Sequence, residues 1–181
     1  MGYQVSTCRV SASDFGDPQN RYRLIVFGAK KGCKLPVLKH THGKGEGKKP
    51  AVTAGNALKT LEDIEPVAGG LVGLSGGRHV FDHYIEGTEL TDKYDNQYKL
   101  DANLPANTVR KGNQMRHYRH DRYITVRERA RLQSFPDSFR FAGKKSEMFD
   151  QIGNAVPVNL ATAMGRAVME SYRIGLHQMP T

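Results

Sequence analysis

The order of hydrophobic and polar residues near the N-terminus predicts two strands. Residues Tyr3 to Val10 alternate and are rich in strand-forming residues, which predicts the first strand. Residues Tyr22 to Ala29 contain the unbroken apolar run Leu24 to Phe27, which is typical of a strand covered on both faces. The polar segment 11–20 between them indicates a loop. We therefore expect two neighbouring strands joined by a loop.

Helical signals dominate the C-terminal third. Thr125 precedes a helical run and Glu128 follows three residues later, which is the spacing of a capping box. We expect a helix from Val126 to Gln133 or Ser134, because Pro136 disfavours helical backbone at the residue before it. On this helix Arg127 and Arg131 share a face, being four residues apart, whereas Arg129 faces elsewhere.

A turn and a further helix are expected from Gln151 onwards. Gly153 and Asn154 tolerate positive φ and predict a turn, and Pro157 fits the first position of a helix. A buried helical face is predicted by apolar and small residues at spacings of three and four, namely Leu160, Ala161, Met164, Ala167, Val168 and Ser171. A loop before a helix N-terminus offers N–H groups to an anionic ligand. The same pattern also fits a plain turn before a surface helix.

The middle of the chain is polar and rich in glycine. Residues 51–64 predict a helix that Gly55 weakens, and residues 67–105 predict a small, loop-rich unit with short strands. The chain therefore divides into three parts, namely residues 1–39, 40–109 and 110–181.

Charge points to a polyanionic partner. The net charge is +9 and the pI is near 9.6. Residues 30–50 contain seven lysines, four glycines and two prolines, which predicts an exposed basic loop that is either a solvated linker or a DNA-backbone contact. Residues 110–122 combine five basic residues with Tyr118, a composition usual for nucleic-acid surfaces and also found in solvated loops.

Composition also excludes several classes of protein. Two cysteines, Cys8 and Cys33, are too few for a disulfide framework, so we expect an intracellular protein, nuclear in a eukaryote and cytoplasmic in a bacterium. The chain has neither a run of about 18 apolar residues nor a signal-peptide pattern, so no membrane partner is expected. Three histidine pairs lack an accompanying Cys or acidic cluster, so no metal site is predicted.

Two arginines stand at the entry of the second predicted strand. On a strand Arg21 and Arg23 point to the same face. Two neighbouring guanidinium groups suit a phosphate, a carboxylate or a base edge. The alternative is a pair of solvated charges at a strand end.

Three segments together resemble the DNA (cytosine-5) methyltransferases. Residues 18–23, with Gln19, Arg21 and Arg23, resemble the QxRxR motif that is numbered eighth in this family. Residues 124–137 resemble the ninth motif and residues 151–157 the tenth. Their order, with a variable segment between the first two, is strongly specific. The resemblance implies an α/β fold: the C-terminal portion of a Rossmann-like S-adenosylmethionine-dependent methyltransferase domain with a small, loop-rich, mainly β target recognition domain at residues 40–109.

The resemblance also implies a reaction and a base pocket. The family transfers a methyl group from S-adenosylmethionine to C5 of a cytosine flipped out of double-stranded DNA. Arg23 is expected to hydrogen-bond the flipped cytosine at O2, and Gln19 and Arg21 are expected to frame the pocket.

Cofactor and DNA contacts are carried over in the same way. Asn154, Ala155 and the adjoining Gly153 are expected to lie at the amino-acid end of S-adenosylmethionine. Arg127 and Glu128 are expected to brace the recognition domain. Arg116 and Arg119 are candidates for DNA contacts on a different ground, the basic composition of residues 110–122.

The departures from the family concern the catalytic machinery. The chain has no Pro-Cys, Glu-Asn-Val or Phe-x-Gly-x-Gly motif, and neither Cys8 nor Cys33 is assigned as the nucleophile. We expect the C-terminal portion of a methyltransferase, inactive alone and with exposed sheet edges. Its cysteine would come from an N-terminal part or from a second polypeptide carrying motifs I to VI. The alternatives are a non-catalytic DNA-binding or regulatory protein and a relic without function.

Overall fold

The computed structural model describes residues 2–61, 99–111, 115–120 and 122–177. Two strands, β1 and β2, and four α-helices, α1 to α4, are present in these ranges. In chain order they are Tyr3–Ser11, Tyr22–Lys30, Ala54–Leu58, Val126–Leu132, Lys145–Asn154 and Val158–His177. Short 3₁₀ turns occupy Ala12–Phe15 and Lys59–Leu61.

Strands β1 and β2 form an antiparallel hairpin, in which Tyr3 pairs with Lys30 and Ser11 with Tyr22. This confirms both predicted strands. The connection between them was predicted as a loop, and its first part is the 3₁₀ turn Ala12–Phe15.

Helix α4 covers one face of the hairpin. Ile25 and Phe27 are buried there with Val10, and Leu160 of α4 packs in the same cluster. The opposite face carries Leu24 and Val26, which remain 67% and 59% exposed. The expectation that β2 is covered on both faces is therefore wrong for the described part of the chain.

A second core lies between α1, α2 and α3. Its buried residues are Ala54, Leu58, Leu61, Leu100, Ala106, Val109, Met115, Ile124, Val126, Ala130, Leu132 and Ile152. The described segments between residues 54 and 152 therefore share one core, and hydrogen bonds from Gln19 and Arg21 connect the segment between β1 and β2 to α2 and α3.

Helix α2 confirms the predicted capping box. The Glu128 N–H donates to Oγ1 of Thr125 at 3.2 Å, and the Glu128 carboxylate accepts from the Thr125 N–H at 2.7 Å. The helix ends at Leu132, and Ser134 adopts a left-handed φ of 58° before Phe135. The end falls within a residue or two of the prediction.

The predicted loop at residues 151–156 is wrong. Residues 151–154 are the last turn of α3, and Gly153 has helical rather than positive φ. A Cβ on Gly153 would lie 2.5 Å from the Lys111 nitrogen and 2.8 Å from the Arg110 carbonyl carbon. Glycine is needed here because another backbone passes over the helix, not because the chain turns.

Helix α4 begins at Val158, directly after Pro157, close to the predicted start. Leu160 and Ala167 are buried as expected, whereas Val168 is 46% exposed and Ala161 is also exposed. The buried face of α4 is therefore narrower than the sequence suggests.

Most of the predicted recognition domain lies outside the described residues, which omit 62–98. The helix predicted over residues 51–64 is observed as Ala54–Leu58 with the 3₁₀ turn that follows it. The division into residues 1–39, 40–109 and 110–181 stays a prediction.

Candidate functional site

Gln19 lies fully buried at the junction of three chain segments. Its Nε2 donates to the Leu132 carbonyl at 2.7 Å and to Oε1 of Gln133 at 2.8 Å. Its Oε1 accepts from the Val109 N–H at 3.2 Å. The side chain thus forms hydrogen bonds with residue 109 and with residues 132 and 133 at the same time. These bonds fix the position of the connection between β1 and β2.

Arg21 extends the same junction toward α3. Its Nη2 donates to the Gly153 carbonyl at 3.0 Å, and its Nη1 donates to the Val109 carbonyl. Burial, with a contribution from the charge of Arg23, lowers the pKa of Arg21 to about 10. The residue remains a cation at neutral pH, and its two donors hold backbone carbonyls inside the protein.

Arg23 differs from Arg21 in its surroundings. The residue is half-buried, and its Nη1 donates to the carbonyl of Tyr22 at 2.7 Å, folding the guanidinium against its own strand. The two arginines are close enough for their charges to interact. Arg21 faces the three-segment junction, and Arg23 has the more accessible guanidinium of the two. Base contact by Arg23 stays a prediction.

The N-terminus of α4 is occupied by the protein's own groups. The Val158 N–H donates to the Gln133 carbonyl at 3.0 Å. The Asp17 carboxylate accepts from the N–H groups of Asn159 and Leu160 at 3.2 and 3.0 Å. Of the two interpretations of this segment, the one with free N–H groups for an anionic ligand is therefore excluded at the start of α4, because a buried carboxylate fills that place.

Asp17 is fully buried in this capping position. Burial raises its pKa, although hydrogen bonds from Ser134, Leu160 and Asn159 act in the opposite direction. The sequence shows an aspartate two residues before Gln19, but no local pattern indicates that it caps a helix. Its partner helix, some 140 residues away in the chain, was not readable.

The residues predicted to bind a cofactor lie together where α3 meets α4. Gly153 is buried, Ala155 is half-buried, and Asn154 is exposed. The Ala155 N–H already donates to the Gln151 carbonyl at 3.2 Å as the end of α3. Asn154 is therefore the side chain of this group that can reach a ligand, and its amide can both donate and accept hydrogen bonds.

Glu128 sits at the centre of a buried ionic cluster. Arg122 donates two bonds of 2.8 Å to its two carboxylate oxygens, and Nε2 of His117 lies 3.6 Å from Oε1. Burial alone would raise the pKa of Glu128, but the hydrogen bonds and charge of Arg122 hold it below its usual value. The cluster anchors His117 and Arg122 to the start of α2.

Arg127 and Arg131 hold different segments. Arg127 is buried and donates to the Pro136 and Phe139 carbonyls, 3.2 and 2.6 Å away, which shapes the loop after α2. Arg131 forms a bidentate pair with Asp137 and donates to the Ala57 carbonyl at 3.2 Å. Arg131 adds a polar link from α2 to residues 40–109 beside the apolar core, and it does not share one partner with Arg127 as their common helix face suggests. Bracing by Arg127 and Glu128 stays a prediction.

Arg116 and Arg119 belong to a short paired segment near α2. The Arg116 carbonyl accepts from the Leu100 N–H at 3.0 Å, and the Arg119 N–H donates to Nδ1 of His117 at 3.1 Å. Arg119 is exposed and Arg116 half-buried. Their DNA contacts stay predictions.

Comparison with known proteins defines the class to which this fold and site belong. The sequence profile of the C-5 cytosine-specific DNA methylases matches residues 1–99 and 75–170. The chain therefore belongs to the C-5 cytosine-specific DNA methylase family.

Relatives match almost the whole chain. The Type II methyltransferase M1.HphI of Haemophilus parahaemolyticus is 32% identical over 94% of this chain and 49% of its own length. M.NgoFVII of Neisseria gonorrhoeae is 31% identical over 98% of this chain and 54% of its own. The chain thus spans about half the length of these curated relatives.

Two solved structures share the fold. An E. coli prophage protein described as a DNA modification methyltransferase superimposes with a TM-score of 0.69 at 27% identity, covering 95% of this chain and 62% of its own. The Dnmt2 methyltransferase of S. pombe gives 0.55 at 16% identity, covering 95% and 59%, which supports the fold alone. Among the described residues, none of the helices is long and apolar enough to cross a membrane.

Proposed function

We propose that this chain is the C-terminal portion of a DNA (cytosine-5) methyltransferase. It would supply the target recognition domain, the base-pocket arginines and one wall of the cofactor site. The observation that carries the proposal is the junction at Gln19 and Arg21, where the three motif-like segments bond to one another. Segments that resemble motifs VIII, IX and X thus form one unit.

The contacts support different proposed tasks for the three motif VIII residues. Gln19 and Arg21 bond to buried carbonyls, so they act as positioning residues that hold the strand entry in place. Arg23 is half-buried and has the more accessible guanidinium, which supports the proposal that it would hydrogen-bond O2 of a flipped cytosine in double-stranded DNA.

S-adenosylmethionine would supply the methyl group. Its amino-acid end carries a carboxylate and an ammonium group, and the exposed amide of Asn154 can bond either. Gly153 and Ala155 would contribute backbone to the same wall. Because Asp17 and Gln133 occupy the start of α4, that helix end is not the group that holds the cofactor.

The nucleophilic cysteine would come from an N-terminal part or from a second polypeptide with motifs I to VI. Attack of a thiolate on C6 makes C5 nucleophilic toward the methyl group. The exposed apolar face of the hairpin, with Val5, Leu24 and Val26, is a surface that such a segment can cover. A non-catalytic DNA-binding protein is the alternative.

Reconstitution tests the proposal. The chain is co-expressed with a polypeptide of the same source that carries the Pro-Cys, Glu-Asn-Val and Phe-x-Gly-x-Gly motifs. Transfer of labelled methyl groups from S-adenosylmethionine to duplex DNA is then measured. We expect transfer only when both polypeptides are present and the Pro-Cys cysteine is intact. DNA binding without transfer in any combination would favour the non-catalytic alternative.

Arginine variants test the base pocket in the same assay. Arg23→Ala should lower methyl transfer roughly 100-fold, because a charge-assisted bond to the flipped base is lost. Arg166→Ala is the matched control, since Arg166 is an exposed arginine of α4 and lies outside the hairpin face that the segment with motifs I to VI would cover. Equal loss in both variants would count against a base contact by Arg23.

A further inference from the structure

Residues 41–50, here called the lysine loop, form an ordered turn rather than a loose linker. The Gly43 N–H donates to the Lys49 carbonyl at 2.9 Å, and the Lys49 N–H donates to the Thr41 carbonyl at 3.0 Å. Gly43, Gly45 and Gly47 have φ of 107°, 125° and 73°, a region in which other residues are strained. The glycines therefore let the chain close on itself and hold a fixed shape.

The lysine loop is docked on the connection between β1 and β2. The N–H groups of Thr41 and His42 both donate to the Asp14 carbonyl, at 2.9 and 3.0 Å. The His42 ring lies so close to Gly16 that a Cβ there would be 2.6 Å from it. The same 3₁₀ turn is bonded to Arg21, because the Ala12 N–H donates to the Arg21 carbonyl at 3.0 Å.

The lysine loop presents uncompensated positive charge. Lys44, Lys48 and Lys49 are exposed, and Glu46 is the only carboxylate in the loop. Within the part of the chain that the structure describes, none of these three lysines forms an ion pair, in contrast to Lys39, which pairs with a glutamate of α4 at 3.2 Å.

We propose that Lys44, Lys48 and Lys49 contact the phosphate backbone of duplex DNA beside the base pocket. This inference rests on the proposed function and deepens it by naming a DNA-binding surface. A flipped base stays attached to its duplex, so the backbone must pass close to Arg23 and to the 3₁₀ turn that carries the lysine loop. Ammonium groups on a fixed loop are suited to phosphates, which position the protein without reading sequence.

Salt dependence of DNA binding tests the proposal. Anisotropy titrations of the full chain with a fluorescent duplex are run between 50 and 200 mM NaCl. The variant Lys44→Gln/Lys48→Gln/Lys49→Gln should bind at least about tenfold more weakly at 100 mM. Its slope of log K against log salt should be shallower by about 2.7, which corresponds to three lost phosphate contacts. The loss should be equal for unrelated DNA sequences.

A matched control removes three lysines at the other end of the hairpin. Lys30, Lys31 and Lys34 are exposed, and Lys30 pairs with Tyr3 at the end opposite the 3₁₀ turn. The Gln variant of these three changes net charge equally and should keep nearly the wild-type slope. Three arginines in place of the lysine-loop residues should restore binding.

The outcomes separate this inference from the proposed function. An equal loss of duplex affinity in both Gln variants, or no loss in either, overturns the lysine-loop contact. Neither result contradicts the proposed function, because the wild-type chain still binds duplex DNA. Absence of any duplex binding by the wild-type chain overturns the inference together with the DNA-binding part of the proposed function. Far-UV circular dichroism confirms that each variant is folded, which is expected because the exchanged side chains are exposed.

Discussion

The side chain of Gln19 donates a hydrogen bond of 2.8 Å to the side chain of Gln133, and both residues are fully buried. Gln133 in turn donates from Nε2 to the Ile152 carbonyl at 2.7 Å. This relay joins the connection after β1, the end of α2 and the last turns of α3. Two neutral amides thus fix the mutual position of the three segments that resemble family motifs.

Replacing Gln19 should destabilise the chain strongly. Gln19→Ala leaves the Leu132 carbonyl, the Gln133 side chain and the Val109 N–H without their partner. Each unsatisfied buried group costs about 1–3 kcal/mol, so a loss of about 3 kcal/mol or more in unfolding free energy is expected. Urea denaturation measures it.

The control for Gln19 is Gln151→Ala, which removes an exposed glutamine bonded to the Ala142 carbonyl at 2.8 Å. Its effect should stay below about 1 kcal/mol, because water can replace an exposed bond. Similar losses in the two variants would contradict the structural importance of the buried relay.

Two helical glycines should respond to alanine in opposite directions. Gly153→Ala places a methyl group against the Lys111 backbone and should cost about 1–3 kcal/mol through overpacking. Gly165→Ala on α4 meets nothing within 4 Å and should stabilise the chain by about 0.5–1 kcal/mol through helix propensity. Thermal or urea unfolding of the two variants measures both changes in stability. Stabilisation by Gly153→Ala would contradict the close approach of the Lys111 backbone to α3.

Gly153 also shows where prediction from sequence reached its limit. The Gly-Asn pair was interpreted as a turn because both residues tolerate positive φ. The actual constraint is a backbone 42 positions earlier in the chain that crosses α3 at Lys111. The local sequence pattern cannot reveal a contact of that kind. The polar helix α3, which carries the glycine, was not predicted from the sequence either.

Local signals were predicted well because their physics is local. The capping box of α2 needs only Thr125 and Glu128, and the strands of the hairpin follow from short runs of strand-forming residues. By contrast, the carbonyl partners of Arg21 lie 88 and 132 positions away, so the sequence could indicate a guanidinium site but not its burial. The family resemblance identified the motif residues, whereas the hydrogen bonds between the motif segments are visible only in the folded structure.

Glu128 should make the free energy of unfolding decrease at acidic pH. Its pKa in the folded protein lies below the ordinary value of 4.5, so the unfolded chain takes up a proton at higher pH than the folded one. The stability it contributes is therefore present above pH 4.5 and is lost as the pH falls through the folded pKa. Glu128→Gln should remove this slope and, at neutral pH, cost about 3 kcal/mol because Arg122 loses its two charge-assisted bonds to the buried carboxylate.

The control for Glu128 is Glu147, because each is the third residue of its helix. Glu147 is the third residue of α3, is exposed, and accepts from the Lys144 N–H at 2.7 Å. Urea unfolding at several pH values between about 7 and 3 should show a flattened profile below pH 4.5 for Glu128→Gln and an almost unchanged one for Glu147→Gln. Parallel profiles for wild type and Glu128→Gln would show that the buried carboxylate does not control acid sensitivity.

Arg131 should join α2 to α1 in a way that lysine cannot reproduce. Its guanidinium donates to both oxygens of Asp137, at 2.9 and 2.6 Å, and to Oγ1 of Thr60 at 2.6 Å. Lysine offers one point charge instead of a planar fork, so Arg131→Lys should cost about 1–2 kcal/mol.

The local consequence of Arg131→Lys is the sharper test. Residues 54–61 should exchange their amide hydrogens faster, because the bond that Arg131 makes to the Ala57 carbonyl ties that segment to α2. Arg166→Lys, on the exposed side of α4, is the matched control and should shift stability by less than about 0.5 kcal/mol. If exchange over residues 54–61 is unchanged while global stability falls, Arg131 acts through Asp137 alone and α1 is held by its apolar packing.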